Sequence, residues 1–226
     1  RIAALITGEV DIISGVKAEI QDAIEKEKGL NVVGTQVKNI HIYIFNTANG
    51  PMQNKKFRQA LTIAIDRQLL VDTLWGDYAT VPNGHQFKCY GDMYIAEYPG
   101  IQYDPEYAKQ LVQESGYDGT EIEIEMLPAY YLNGSLAGEA IVDMWRGIGV
   151  NAKVAYVQKF RWNFPYIRAW SSASRFDDPL GALWLLFGYG SLPARNTWLD
   201  MPQDFIDTGK ALITTTNKAK RRELAA

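Results

Sequence analysis

The chain has 226 residues, enough for one large domain or two small ones, and is 47% hydrophobic and 22% charged, an ordinary balance for a soluble globular protein. Twenty-three basic against 26 acidic side chains leave a net charge of −3, which offers no clustered Lys and Arg surface for nucleic acid. The single cysteine, Cys89, excludes an intrachain disulfide and a Cys-x-x-Cys site, and no apolar run reaches the ~18–20 residues of a membrane helix.

The chain opens on Arg1-Ile2-Ala3-Ala4-Leu5, which resembles the inside of a helix ended by Gly8, and shows no signal-peptide pattern. It closes on Arg221–Ala226, which resembles a helix cut partway, so a fragment of a longer protein is expected. Val10–Ile13 and Leu30–Val33 are short strand candidates, and Ala18–Glu27 is a polar helix closed by Gly29. Ile40–Phe45 alternates and then turns wholly apolar, as a central strand does. Asn54 caps a helix whose Phe57, Ala60, Leu61, Ala64 and Ile65 fall on one face, and that helix is expected to run to Leu74. Residues 77–103 are irregular. Asp104-Pro105-Glu106 starts a helix with a capping carboxylate and a proline at the first position, and Gly116 stops it. Glu121–Met126 alternates strictly, with Ile122, Ile124 and Met126 inward and three Glu on a wet face. Ser135 is the expected cap of a helix carrying Ala137, Ala140, Ile141, Met144, Trp145 and Ile148 on one stripe, after which Ala152–Val157 returns as a strand. This β-helix-β order predicts a right-handed crossover and a partly parallel sheet. A loop-rich segment over 163–182, a helix or turn at Leu183–Phe187 and a final helix near Asp204–Thr214 complete the chain. The basic run Lys218–Arg222 reads as a solvated helix face.

Phe45-Asn46-Thr47, Gly50-Pro51, Phe57-Arg58-Gln59-Ala60-Leu61 and Ala64-Ile65-Asp66-Arg67 together resemble the signature of the bacterial extracellular solute-binding proteins of family 5, the peptide, opine and nickel receptors of ABC importers. The words Arg1–Asp11, Tyr103–Tyr117, Ile141–Val150 and Asp177-Asp178-Pro179 after Trp170 are similar to others of that family, in its order and spacing. The resemblance implies an α/β fold, a periplasmic-binding-protein type II-like lobe with a mixed sheet flanked by helices. Residues 1–226 would be the C-terminal lobe of a two-lobed protein, without the first lobe and the final return to it. It implies capture of a small polar organic solute, a peptide or an opine-like sugar–amino-acid conjugate, in a cleft between lobes. The implied partners are the solute and ABC transporter permease subunits, with no cofactor, no nucleic acid and at most a peripheral place at the membrane. The protein is expected to be a monomer, periplasmic or a cell-surface lipoprotein.

The segment Trp170–Pro179 is the main candidate for solute contact. Trp170 offers an aromatic platform, Ser171 and Ser172 hydroxyls, Arg175 a guanidinium, and Asp177 and Asp178 carboxylates. In peptide-binding relatives a Trp followed by an Asp here faces the cleft and the Asp meets an ammonium; the longer Trp-to-Pro spacing leaves Asp177 and Asp178 both open. A surface pair between Arg175 and Asp178 is the alternative. Tyr130 and Tyr131 follow a strand, where open α/β sheets place ligands, and are candidates to stack on solute, with core packing of one of them the alternative. The basic residue that some dipeptide-binding relatives carry near here is lacking. Asn46 is read as satisfying loop backbone. His41 and His85 are too scattered for a metal site, and His85 with Cys89 is a weak spacing. No metalloprotease, Gly-x-Ser-x-Gly or phosphate-loop motif occurs. Two rival functions remain: a hydrolase or glycosidase using Asp177 and Asp178, and a ligand-sensing module without transport.

Overall fold

Four strands form one mixed sheet in the computed structural model, which describes residues 1–34, 37–195 and 199–226. They are β1 (Asn39–Phe45), β2 (Ile122–Met126), β3 (Ala152–Tyr156) and β4 (Ile167–Ala173), lying in the spatial order β1-β4-β2-β3. Among the described residues the helices are α1 (Ile2–Ile6), α2 (Gln21–Glu25), α3 (Lys55–Ile63), α4 (Arg67–Leu74), α5 (Pro105–Glu114), α6 (Gly134–Gly147), α7 (Leu183–Phe187), α8 (Leu192–Arg195), α9 (Gln203–Thr214) and α10 (Lys218–Ala225). β2 and β3 are parallel and joined through α6, as the β-helix-β order predicts. β4 is parallel to β2 and antiparallel to β1.

The apolar stripes define the main core. Ile122, Ile124 and Met126 of β2 are buried with Ile141, Val142 and Trp145 of α6, Phe57, Ala60 and Leu61 of α3, and Ala108, Leu111 and Val112 of α5. Local capping sets the helix starts. Asn54 Oδ1 accepts from Lys56 N at 2.9 Å, and Asp104 Oδ1 from Tyr107 N at 2.9 Å.

Several expectations are corrected. β4 lies inside the segment expected to be loop-rich, and it is the strand that joins the two halves of the sheet. The helix expected to run from Asn54 to Leu74 breaks at Ala64–Asp66. There Trp145 Nε1 donates to Leu61 O at 2.8 Å and Arg67 Nη2 to Thr62 O at 3.0 Å, taking carbonyls that the next turn would have used, while Asp66 Oδ1 accepts from Leu69 N at 2.9 Å and starts α4. Asn133, not Ser135, stands at the N-terminus of α6. Val10–Ile13 and Leu30–Val33 form no strand, and Ile12 and Val33 are exposed. The polar helix expected over Ala18–Glu27 is a 3-10 turn at Ala18–Ile20 leading into α2.

The basic run is a solvated face at Lys218 and Lys220, which are exposed, while Arg221 turns inward. α10 packs against the 88–97 segment, with Arg222 Nη2 2.6 Å from Glu97 Oε1 and Lys218 Nζ 3.7 Å from Asp92 Oδ2. The Glu side of β2 is wet only at its start, because Glu125 is fully buried.

Trp145→Phe keeps an aromatic side chain but removes the indole N–H that serves the buried Leu61 carbonyl, and leaves a smaller ring in the core. It is expected to destabilise the protein by ~1–3 kcal/mol in urea unfolding, with little change in the slope of the transition.

Candidate functional site

The alternation of β4 sends its residues to two environments. Ile167 and Ala169 enter the main core, whereas Arg168 and Trp170 lie on the opposite face, where Trp170 packs with Ile42, Ile44, Phe164 and Phe187. Arg168 is 1% exposed, a costly place for a guanidinium. Glu125, its register partner on β2, is also fully buried, and Arg168 Nη2 lies 3.3 Å from Glu125 Oε1. Arg161, from the loop after β3, donates its backbone N–H to the same Oε1 at 2.9 Å and its Nε–H to Oε2. Three rings surround the Arg168 guanidinium: Phe164 at 4.5 Å, Phe160 at 4.9 Å and Trp170 at 5.4 Å from its carbon to the ring centres.

Aromatic contacts continue from this cage around the C-terminal end of β2. Trp170 packs on Phe160 with ring centres 5.3 Å apart, Phe160 meets the edge of Tyr130 at 6.1 Å, and Tyr130 meets Tyr131 at 4.7 Å. Tyr131 lies 4.6 Å from His41, whose ring meets Trp75 at 5.7 Å. Tyr131 also donates its hydroxyl to Ser171 Oγ at 3.0 Å, and burial pushes both the Tyr131 phenol up and the His41 imidazole down from their ordinary pKa values.

The turn carrying the tyrosines holds two non-glycine residues in the left-handed region, Ala129 at φ 55° and Asn133 at φ 58°. Such conformations persist only where surrounding contacts impose them. Here Asn133 Nδ2 donates to Leu74 O at 2.5 Å and Trp75 Nε1 to Leu132 O at 3.2 Å, so the end of α4 holds the turn. Tyr130 remains 60% exposed, an apolar surface available for stacking.

Thus Tyr130 and Tyr131 bridge the two faces of β4, linked through Phe160 to Trp170 on one side and directly to Ser171 on the other. Ser172 does not join them: it is fully buried and its hydroxyl finds no partner among the described residues. Arg175, Asp177 and Asp178 lie beyond the end of β4, in a loop where Arg175 N donates to Gly181 O at 3.0 Å. Asp177 is paired with Lys38, which holds its carboxyl below the usual range. Asp178 receives Arg221 Nη2 at 2.6 Å on both oxygens and accepts from Leu180 N at 2.9 Å. In place of the alternative Arg175–Asp178 pair, Asp178 makes a clasp between this loop and α10. Asn46 donates to Phe164 O at 2.8 Å, the backbone role read from the sequence. Phe160, Arg161, Arg168 and Glu125 are the functional candidates that sequence reasoning missed; an Arg within a run of apolar neighbours was the available signal.

A cavity of about 890 Å³ runs along β1, lined in part by His41, Tyr43, Arg58, Arg67, Trp75 and His85. It meets the aromatic surface at His41. His85 packs edge-on to Phe187, and burial lowers its pKa to about 4.

A family model described as "Bacterial extracellular solute-binding proteins, family 5 Middle" matches residues 1–192. The chain belongs to this family. It is 28% identical to a di/tripeptide-binding protein of Pseudomonas aeruginosa over an alignment of 243 positions, covering 99% of this chain and 43% of that protein. It is 34% identical over 166 positions to a heme-binding protein of Haemophilus influenzae, covering 66% of this chain and 28% of the relative. Among solved structures, NikZ of Campylobacter jejuni in complex with Ni(L-His) superposes with a TM-score of 0.81 at 21% identity, over 99% of this chain and 48% of that one. The fold is that of a periplasmic-binding-protein lobe, and the chain spans less than half the length of each of these three proteins.

Glu125→Leu strips the carboxylate from beneath Arg168 and is expected to cost ~3–5 kcal/mol in urea unfolding, whereas Glu125→Leu with Arg168→Met is expected to recover most of that loss. Equal loss in the single and double variants would contradict the pairing. His85, neutral when folded, takes up a proton on unfolding between its ordinary pKa of 6.5 and about 4. Stability is therefore complete above pH 6.5 and falls as pH drops through that window, by ~3 kcal/mol, and His85→Gln is expected to remove this part of the pH dependence.

Proposed function

We propose that this chain is one lobe of a two-lobed receptor that captures a di- or tripeptide and delivers it to the permease subunits of an ABC importer on the outer side of the cytoplasmic membrane. The observation that carries the reading is the aromatic surface of Tyr130, Tyr131, Phe160 and Trp170 at the C-terminal end of β2, in a chain of a solute-binding family. Ligands of open α/β sheets bind at the carboxyl ends of strands, and rings with a polar tip suit a peptide backbone and its side chains. Ser171, bonded to Tyr131, adds a hydroxyl beside that surface. Peptides are favoured over opine-like conjugates because the di/tripeptide-binding relative aligns with 99% of the chain.

On this reading the second lobe closes over the solute and supplies the rest of the contacts. Asp177, Asp178 and Arg175 brace the loop behind the surface instead of touching solute. A hydrolase built on Asp177 and Asp178 is disfavoured by their pairing with Lys38 and Arg221, since general acid–base work needs a carboxyl free to exchange its proton.

The test is a thermal-shift and calorimetry panel on the full-length protein carrying this chain, with Met-Leu, Ala-Ala-Ala, an opine, free sugars, heme and Ni(II) with histidine. Peptides are expected to raise Tm and to be recovered uncleaved. Trp170→Ala is expected to weaken peptide binding about ten-fold or more, while Asp178→Asn lowers Tm without changing the ranking of ligands. Peptide affinity unchanged in Trp170→Ala would sink the assignment of the surface.

A further inference from the structure

The sheltered arginines of this fold fall into two groups. Arg168, Arg221 and Arg222 are each paired with a carboxylate, of Glu125, Asp178 and Glu97. Arg58 and Arg67 are also partly buried, but among the described residues neither forms an ion pair. They spend their hydrogen bonds on backbone. Arg58 Nη1 donates to Met52 O at 2.6 Å and Gln53 O at 2.9 Å, and Arg67 donates to Ile65 O at 3.1 Å and Thr62 O at 3.0 Å. Carbonyls satisfy donors without neutralising charge. Burial pushes the pKa of both guanidiniums down, and Asp200 offsets this only at Arg58, without an ion pair.

Both arginines line the cavity of about 890 Å³ that runs along β1. Among the described residues its wall also holds His41 and His85, and it contains no Asp or Glu. Arg58 and Thr62 stand one turn apart on α3, with Thr62 Oγ1 donating to Arg58 O at 2.8 Å, and Arg67 holds the Thr62 carbonyl, so one helical turn tethers both guanidiniums. Thr47, just after β1, lines the cavity and accepts from the N–H of Asp200, whose charge reaches Arg58; the cationic end therefore lies at the C-terminal end of β1. At the other end His41 meets Trp75. Residues 40–45 all line the space between, roughly 17–20 Å of strand. Ile44, Leu70, Val71, Ile141, Trp75 and Phe187 make much of the wall apolar.

We infer that this cavity is a second binding site, which takes an elongated organic anion with its acid group at Arg58 and Arg67 and its apolar body along β1 toward Trp75. The inference does not rest on the peptide-receptor reading, and the acid-binding end lies at the opposite end of β1 from the aromatic surface. The fold neutralises its other sheltered arginines from within. Here it leaves two positive charges in a partly apolar enclosure, where attraction is screened less than in water and an arriving carboxylate gains charge-assisted hydrogen bonds. The apolar wall adds affinity for a hydrocarbon body that a bare anion would not use.

The experiment measures decanoate, decanol and acetate by calorimetry on the full-length protein carrying this chain. Decanoate is expected to bind wild type about ten-fold or more tighter than decanol, and about a hundred-fold or more tighter than acetate. Arg58→Gln and Arg67→Gln are each expected to weaken decanoate about ten-fold and to leave decanol within about two-fold. Both side chains also hold backbone carbonyls, so a pair of variants at Thr62 tests charge alone. Thr62→Glu brings a carboxylate within reach of both guanidiniums, and Thr62→Gln is its neutral match. Thr62→Glu is expected to bind decanoate about ten-fold or more weakly than Thr62→Gln, with decanol equal in the two. The inference is overturned by no decanoate binding to wild type, by decanoate affinity equal to that of decanol or acetate, by unchanged decanoate affinity in both arginine variants, or by equal decanoate affinity in the two Thr62 variants. Failure of every peptide to bind removes the peptide-receptor reading and leaves these outcomes to decide the anion site.

Discussion

The buried carboxylate of Glu125 holds the sheet together at its narrowest point. β1 and β4 pair over seven positions and β2 and β3 over five, but the ladder joining these halves has only two, Ile124 with Ile167 and Glu125 with Arg168. One is an apolar contact on the helix-covered face; the other is the ion pair on the opposite face. A slip of one residue would turn Arg168 into the main core and Ile167 out of it, so the pair fixes the register at the place where backbone hydrogen bonds are fewest. Burying the charges is expensive, and the structure offsets the cost with two guanidiniums for one carboxylate, a backbone N–H and three aromatic faces.

The same pair determines where the rings stand. Arg161 ties the loop after β3 to Glu125, and this brings Phe160 against Trp170 and Tyr130. From the other side, the end of α4 holds the turn with Ala129 and Asn133 in left-handed backbone, which brings Tyr130 and Tyr131 around the end of β2. The aromatic surface is thus set by a buried charge network and a strained turn, both made by groups with other structural partners. A surface ordered before ligand arrives loses less side-chain entropy on binding than one assembled by it.

How much of this was legible in the sequence follows from where each residue finds its partners. The stripes of α3 and α6 were legible from their helical period, and the caps Asn54 and Asp104 because their partners lie in the next turn. The break between α3 and α4 was not, since the donor that removes the Leu61 carbonyl is Trp145, 84 residues away. β4 was missed because Arg168 and its serines read as polar loop; Arg168 is acceptable in a central strand only when Glu125, 43 residues earlier, is paired with it. Tyr130, Tyr131, Trp170 and Ser171 were legible as aromatic and hydroxyl groups near strand ends. Phe160 and Arg161 were not, because nothing local marks a loop as folded back over a sheet.

The carboxylates Asp177 and Asp178 carry the same lesson into electrostatics. In sequence, two adjacent acids after a tryptophan look available, and their value for solute capture depends wholly on whether they are spare. Lys38 takes one from before β1, and Arg221 takes the other from α10, where the fork also donates to Leu212 O at 2.6 Å and Thr215 O at 2.7 Å. Arg221 therefore closes α9, anchors α10 and clasps the loop after β4 with one side chain, which is why the basic run behaves as a docking face. With those acids committed, and the aromatic cage filled by Arg168, the surface keeps exposed rings and the half-exposed guanidinium of Arg161. Charge selectivity at such a surface is set less by which charged residues are present than by which are left over once the fold has been neutralised.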